Sequence, residues 1–244
     1  MGRATRVDRM TDAPFLPLDL EAPDVEPTRR SAMLGESGYE RQANDFYRTE
    51  EINTRAFLSR VEFKIGTVYE CAAGDGAISK VLIAAGVRVV STDLVDRGYC
   101  RAGVDFLRLT EMPWLEVAGE GYVQPHHIVT NPPWNLFDLF IAHALRLVEP
   151  FGGRVAMFLR NEHDAAKTYR PIFIECPAYR GKIVLHRRPK FFFDKGKDEK
   201  PRHYCAWYQW DTGNPRAPGE LPTIDYVLAP RDGASGDLFD VDDE

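Results

Sequence analysis

The sequence predicts a doubly wound α/β fold on a mostly parallel sheet, and three observations carry that prediction. Short, continuous apolar and β-branched runs recur along the middle of the chain, as strands buried on both faces require. Segments with helical periodicity lie between them. A glycine turn follows the first run directly and opens a helical segment, the local form of a βα unit.

The predicted strands are residues 67–72, 88–94, 127–130, 154–159, 182–185 and 204–210. In residues 78–85, Ile78, Leu82 and Ala85 fall at i, i+4 and i+7 and share one helix face. Residues 136–148 read as a second helix, with Asn135 as its N-cap and Pro150 beyond its end. The last two runs have no good helix between them and read as an antiparallel hairpin. Residues 1–35, rich in Pro, Asp, Glu and Arg without periodicity, read as a mobile arm. The domain proper then spans 36–214. Residues 215–244 form a tail that begins with Pro215, Pro218 and Pro222 and ends acidic. Its apolar stretch 224–228 leaves docking open.

Of the 244 residues 44% are hydrophobic and 28% charged, a mixture that can bury a core and excludes wholesale disorder. The net charge of −6 sits mainly at the end, where residues 231–244 hold six acids and one base. A protein that holds nucleic acid by net charge is thereby excluded, while a local basic stripe is not. No apolar run approaches the ~20 residues of a membrane span. The charged N-terminus lacks the apolar core of a secretory signal. Cysteines at 71, 100, 176 and 205 form no CxxC pair, which predicts reduced thiols, no metal centre and a cytoplasmic protein.

Two motifs carry chemistry. The first is Glu70-Cys71-Ala72-Ala73-Gly74-Asp75-Gly76, after the first strand. Small residues let the backbone turn sharply, and a helix N-terminus offers free N–H donors to a nucleotide-like ligand. The same turn also closes βα units that bind nothing. Ser79 stands where a dinucleotide fingerprint wants its third glycine, which argues against NAD. Asp93, ending the second strand, lies near the ~20-residue offset at which an acid accepts from ribose hydroxyls, or it is a solvated strand end. The second motif is Asn131-Pro132-Pro133-Trp134, after the run 127–130. It reads as a plain turn or as an amine clamp. In the clamp, the Asn131 amide oxygen and the Pro132 carbonyl accept from one exocyclic amino group. The prolines stiffen the loop, and Trp134 offers a face for a flat base. His126 and His127, at the other end of that strand, read as structural.

These motifs, in this order and about 55 residues apart, resemble class I S-adenosylmethionine-dependent methyltransferases. The branch resembled methylates exocyclic or amide nitrogens and includes DNA adenine-N6 methyltransferases of bacteria and phages. The resemblance covers roughly residues 43–211 and implies a seven-stranded, Rossmann-like methyltransferase sheet. It implies cofactor roles for Glu70, Ala72, Gly74 and Gly76 in the glycine turn and for Asp93 at the ribose. Asp105 and Phe106 match the segment beside the adenine ring, with Asp105 facing its amino group. Tyr47 and Thr49, within Asp45-Phe46-Tyr47-Arg48-Thr49, match a motif that closes over the cofactor. Asn131, Pro132, Pro133 and Trp134 match the catalytic motif. Cys71 and Glu50 stand where the family commonly has proline, which weakens the subfamily match.

The implied reaction is methyl transfer from S-adenosylmethionine to adenine N6 of a flipped DNA base. The same chemistry on RNA or a glutamine amide is the alternative, with a non-catalytic cofactor or DNA binder as a third reading. Residues 182–202 carry eight bases and three acids around Phe191, Phe192 and Phe193. Within them Lys195, Lys197, Lys200 and Arg202 read as a phosphate-facing stripe or as a solvated loop. Nucleic acid, DNA foremost, is the expected partner.

Overall fold

The computed structural model describes residues 47–63, 66–117, 121–186, 189 and 203–228. The arm 1–35, Asp45, Phe46, Phe191–193, the basic residues Lys195, Lys197, Lys200 and Arg202, and the acidic end lie outside them.

The chain enters through α1 (Glu51–Leu58) and then alternates β1 (Val68–Glu70), α2 (Ala77–Ala84) and β2 (Val89–Ser91). A short antiparallel hairpin follows, β3 (Leu115–Val117) with β4 (Gly121–Val123). After it come β5 (His127–Thr130), α3 (Phe137–Val148), β6 (Arg154–Arg160), β7 (Tyr179–Leu185), β8 (Cys205–Asp211) and β9 (Thr223–Val227). Seven strands form one sheet in the order β2-β1-β5-β6-β8-β7-β9. β2, β1, β5 and β6 run parallel, and β8 is antiparallel to both β6 and β7. This is the expected doubly wound α/β sheet with its antiparallel hairpin. The seventh strand comes from the tail: 224–228 docks, its strand β9 pairing parallel with β7, and Asp225 binds Arg60 at 2.8 Å.

Alternation along the strands divides the core between two faces. Tyr69, Ile128, Val155, Met157 and Leu159 face α3, whose Phe140, Ile141, Ala144 and Leu145 cover them. Val68, Val129, Ala156, Phe158 and Trp207 face the other way, under α1 and α2. α1 has low apolar content and buries Asn53 and Thr54 as well as Ala56 and Phe57. Two contacts hold it. Phe57 is fully buried and stacks on Trp207 at 4.7 Å, and the Trp207 indole donates to the Asn53 carbonyl at 2.8 Å. Burying such a ring contributes about 1.5–3 kcal/mol, and the indole N–H is satisfied.

Asn135 does not cap α3. The helix starts at Phe137 with Leu136 at the cap position and no side-chain cap, because Leu136 N–H closes a turn onto the Pro133 carbonyl at 2.9 Å. The proline turn, not a capping side chain, sets the helix entry.

Candidate active site

Ligands in open α/β sheets bind where chain order reverses, outside the carboxyl ends of the strands. Here β1 has β2 on one side and β5 on the other, and one cleft lies at that point. Tyr47, Thr49, Glu70, Ala72, Asp93, Asp105, Phe106, Asn131 and Pro133 all line it. Gly74 and Gly76 shape the turn without lining the cleft. Pro132 is buried, and Trp134 packs against Tyr47.

The turn needs its glycines. Gly74 and Gly76 have φ of 57° and 80°, and a Cβ on Gly76 would fall 2.5 Å from the Tyr99 ring. Gly74 N–H donates to Asp93 Oδ2 at 2.7 Å, and Val95 N–H donates to Oδ1 at 2.8 Å. Asp93 thus pins the glycine turn to the end of β2. Each oxygen keeps a further lone pair for a ligand hydroxyl.

Glu70 is committed inside the protein. Its carboxyl is 1% exposed and accepts from Ser79 N–H at 2.9 Å and from the Ser79 hydroxyl. The hydroxyl also pairs with Ser91 at 2.6 Å. Burial pushes the Glu70 carboxyl up to about 8, against the pull of the Ser79 bonds. Ser79, read in the sequence only as a missing glycine, ties the first turn of α2 to β1 and β2. Sequence carried one signal of this: a polar residue at the apolar start of a helix.

Asp105 caps a 3₁₀ turn at Phe106–Arg108, accepting from Leu107 N–H at 3.1 Å. Phe106 is 3% exposed and meets Tyr69, Phe140 and His143 while one side lines the cleft. Burial, then Arg146, pushes His143 down to about 4, so its ring is neutral at physiological pH.

Asn131 follows β5 directly. Its Nδ2 donates to the Tyr47 carbonyl at 2.8 Å and to the Thr49 hydroxyl at 3.0 Å. Its Oδ1 is buried and has no partner among the described residues. A buried acceptor left open costs roughly 1–3 kcal/mol, so such a group calls for an explanation. The segment that supplies both acceptors crosses the cleft. Arg48 Nε meets Asp75 Oδ2 of the glycine turn at 2.6 Å, and the Tyr47 ring stacks on Trp134 at 4.9 Å and 24°. One face expected to receive a flat base is therefore covered by Tyr47, and His203 meets the indole edge-on at 5.9 Å.

Lys182 does not join a phosphate-facing stripe. It is 8% exposed and donates to Asp164 and to the Asn161 carbonyl, each at 2.8 Å. His127 sits at the amino end of β5 and accepts from Arg154 N–H at 3.0 Å, as a structural residue does. Among the described residues no group of three or more His, Cys, Asp or Glu could hold a metal ion. No described helix is long and apolar enough to cross a membrane.

No protein-family model and no curated protein matches the chain. Solved structures similar to it include a candidate RNA methyltransferase from Pyrococcus horikoshii, at 13% identity and TM-score 0.48, covering 69% of this chain and 87% of that one. A second is the modification subunit of a candidate type I restriction enzyme from Vibrio vulnificus YJ016, at 13% identity and TM-score 0.49. That likeness covers 78% of this chain and 49% of the subunit. A third is a Burkholderia thailandensis 1,6-didemethyltoxoflavin-N1-methyltransferase bound to S-adenosylhomocysteine, at 12% identity and TM-score 0.39, covering 66% of this chain and 75% of that one. Likenesses this distant leave activity and substrate to the site itself.

Proposed function

We propose that the chain is an S-adenosylmethionine-dependent methyltransferase acting on an exocyclic amino nitrogen, with adenine N6 of DNA as the acceptor. One observation carries the reading. At the carboxyl end of a central strand, Asn131 has both amide hydrogens engaged and its carbonyl oxygen buried and open. A donor from outside the protein, such as an amine, would complete it.

The residues of the cleft fit S-adenosylmethionine. Asp93 offers lone pairs to ribose hydroxyls, Asp105 offers an acceptor to a ring amino group, and Leu94, Phe106 and Leu107 give apolar walls to a flat ring. Ala72 and Ala73 leave room at the glycine turn for the amino-acid part. When bound, the cofactor supplies a methyl group on a sulfonium, already a strong electrophile. The protein's task is then positioning and exclusion of water. Asn131 Oδ1 and the Pro132 carbonyl accept the two amine hydrogens and so aim the nitrogen lone pair, while the prolines keep the loop stiff. No general base is needed before transfer, because the methylated aminium is acidic and loses its proton to water.

A base in a duplex must be flipped out to present its amine, at a cost of a few kcal/mol. Two amine hydrogen bonds and stacking at Trp134 offset that cost, once Tyr47 yields or shares its place on the indole. DNA is favoured by the resemblance of the motifs and by the run of basic residues between 187 and 202. Charge reversal at Lys195, Lys197 and Lys200 is expected to weaken DNA binding and flatten its salt dependence, and an unchanged slope would remove that stripe from the account.

Calorimetry with S-adenosylhomocysteine tests the cofactor, and labelled transfer onto unmethylated DNA, RNA and protein extract in parallel tests the acceptor. Binding with label in DNA is expected. Label confined to RNA or protein would keep the chemistry and overturn DNA, and absence of binding would overturn the whole reading.

A further inference from the structure

Thr49 and Tyr47 match, in sequence, a segment that closes over the cofactor. The geometry gives that segment a second task. The two acceptors that engage Asn131 Nδ2 are the Thr49 hydroxyl and the Tyr47 carbonyl, more than eighty residues away in the chain. An amide oxygen and nitrogen are nearly the same size, and only their partners decide which way the group points. The Tyr47 carbonyl can only accept. A flipped Asn131 would set oxygen against that oxygen and forfeit that bond, so the Tyr47 carbonyl dictates which Asn131 atom is left open. The Thr49 hydroxyl, the second partner, holds the amide in place.

We propose that Thr49 is a positioning residue for the acceptor amine: with the Tyr47 carbonyl, its hydroxyl locks the Asn131 amide so that Oδ1 is the atom left to receive the substrate. The inference rests on the methyltransferase reading and deepens it. Thr49 is 3% exposed, which shields the bond from water. The segment is itself held at both ends. On one side α1 begins two residues after Thr49 and is fastened to the sheet by Phe57 and by the Asn53–Trp207 bond. On the other, Arg48 binds Asp75 in the glycine turn. The amine clamp is therefore assembled from two distant parts of the chain, and Asn131 alone does not make it.

The test compares Thr49→Val, which keeps the branched shape and removes the oxygen, with Thr49→Ser, which restores the oxygen. In ¹H–¹⁵N spectra the Asn131 Nδ2 pair is identified by its loss in Asn131→Asp. Thr49→Val is expected to shift that pair and speed its solvent exchange about tenfold, and Thr49→Ser to restore both. With S-adenosylmethionine held at saturation, turnover on labelled DNA should fall about 10- to 100-fold in Thr49→Val alone. An Asn131 pair unmoved by Thr49→Val would overturn the proposal. If affinity for S-adenosylhomocysteine fell at the same time, the hydroxyl would belong to the cofactor instead. Wild-type protein that fails to bind S-adenosylhomocysteine would overturn the proposed function, a failure read separately from the amide signal.

Discussion

Where the amino ends of β5 and β6 meet the carboxyl end of β8, one polar cluster closes on itself. His127 accepts from Arg154 N–H, Arg154 binds Asp211 at 3.0 Å and reaches the Glu62 carbonyl at 3.2 Å. At the carboxyl ends of β1, β2 and β5 the protein also holds the polar groups that line the cleft, but it leaves the Asn131 carbonyl oxygen open. Asp93 is fixed by two backbone N–H groups, Asp105 by one, and the Asn131 amide by Tyr47 and Thr49, while Asn131 Oδ1 has no partner among the described residues. Both ends hold charged and polar side chains in a groove. The difference lies in placement: the His126 ring, whose Nδ1 is also buried without a partner among the described residues, packs on Phe151. Asn131 instead lines the cleft, where a rigidly oriented group with an open valence is arranged for a ligand.

That contrast can be broken by substitution. The largest effect is expected at Asp93. Asp93→Ala removes a charged acceptor and frees the glycine turn, and affinity for S-adenosylhomocysteine should fall about 10- to 100-fold by calorimetry. An affinity unchanged within about twofold would make Asp93 a purely structural pin.

A second effect concerns pH. Glu70 is raised from 4.5 to about 8 by burial, so the unfolded chain loses this proton first and stability falls as pH rises from about 4.5 to 8. His143 and His163 are lowered from 6.5 to about 4, burial being the larger cause for each, so the unfolded chain gains protons first and stability falls as pH drops from about 6.5 to 4. Between 4.5 and 6.5 two histidines oppose one carboxyl, and above 6.5 the carboxyl acts alone. From these three groups denaturant unfolding should be hardest near pH 6.5. Glu70→Gln should flatten the alkaline slope, and a slope left intact would place the titrating group elsewhere.

The smallest effect is expected at the closed cluster of His127, Arg154 and Asp211. The Arg154–Asp211 pair is partly exposed, and Arg154→Met should cost roughly 0–1 kcal/mol by denaturant unfolding. Cofactor affinity and transfer should not change. A loss of transfer without a loss of stability would show that this cluster takes part in function.

The sequence made the parallel core legible because each buried strand is a continuous apolar run: residues 127–130 coincide with β5, and 154–159 falls one residue short of β6. It failed where an element depends on what lies opposite. α1 reads as polar because Asn53 and Thr54 are buried against other parts of the chain, and β9 exists through its pairing with β7 and the Asp225–Arg60 bond. β3 and β4 are too short, at three residues each, to show a period. In the site, the motifs located the residues of the cleft but not their partners. Nothing local ties Ser79 to Glu70, nine positions away, or Arg48 to Asp75, because the fold alone brings those pairs together.

The most direct test is transfer of tritiated methyl from S-adenosylmethionine to unmethylated DNA by the wild-type protein and by Asn131→Ala, with the labelled nucleoside identified after digestion. The account predicts label in N6-methyladenine with wild type, none with Asn131→Ala, and S-adenosylhomocysteine bound by both. Equal transfer by the two proteins, or cofactor bound by wild type with no label in DNA, would contradict it.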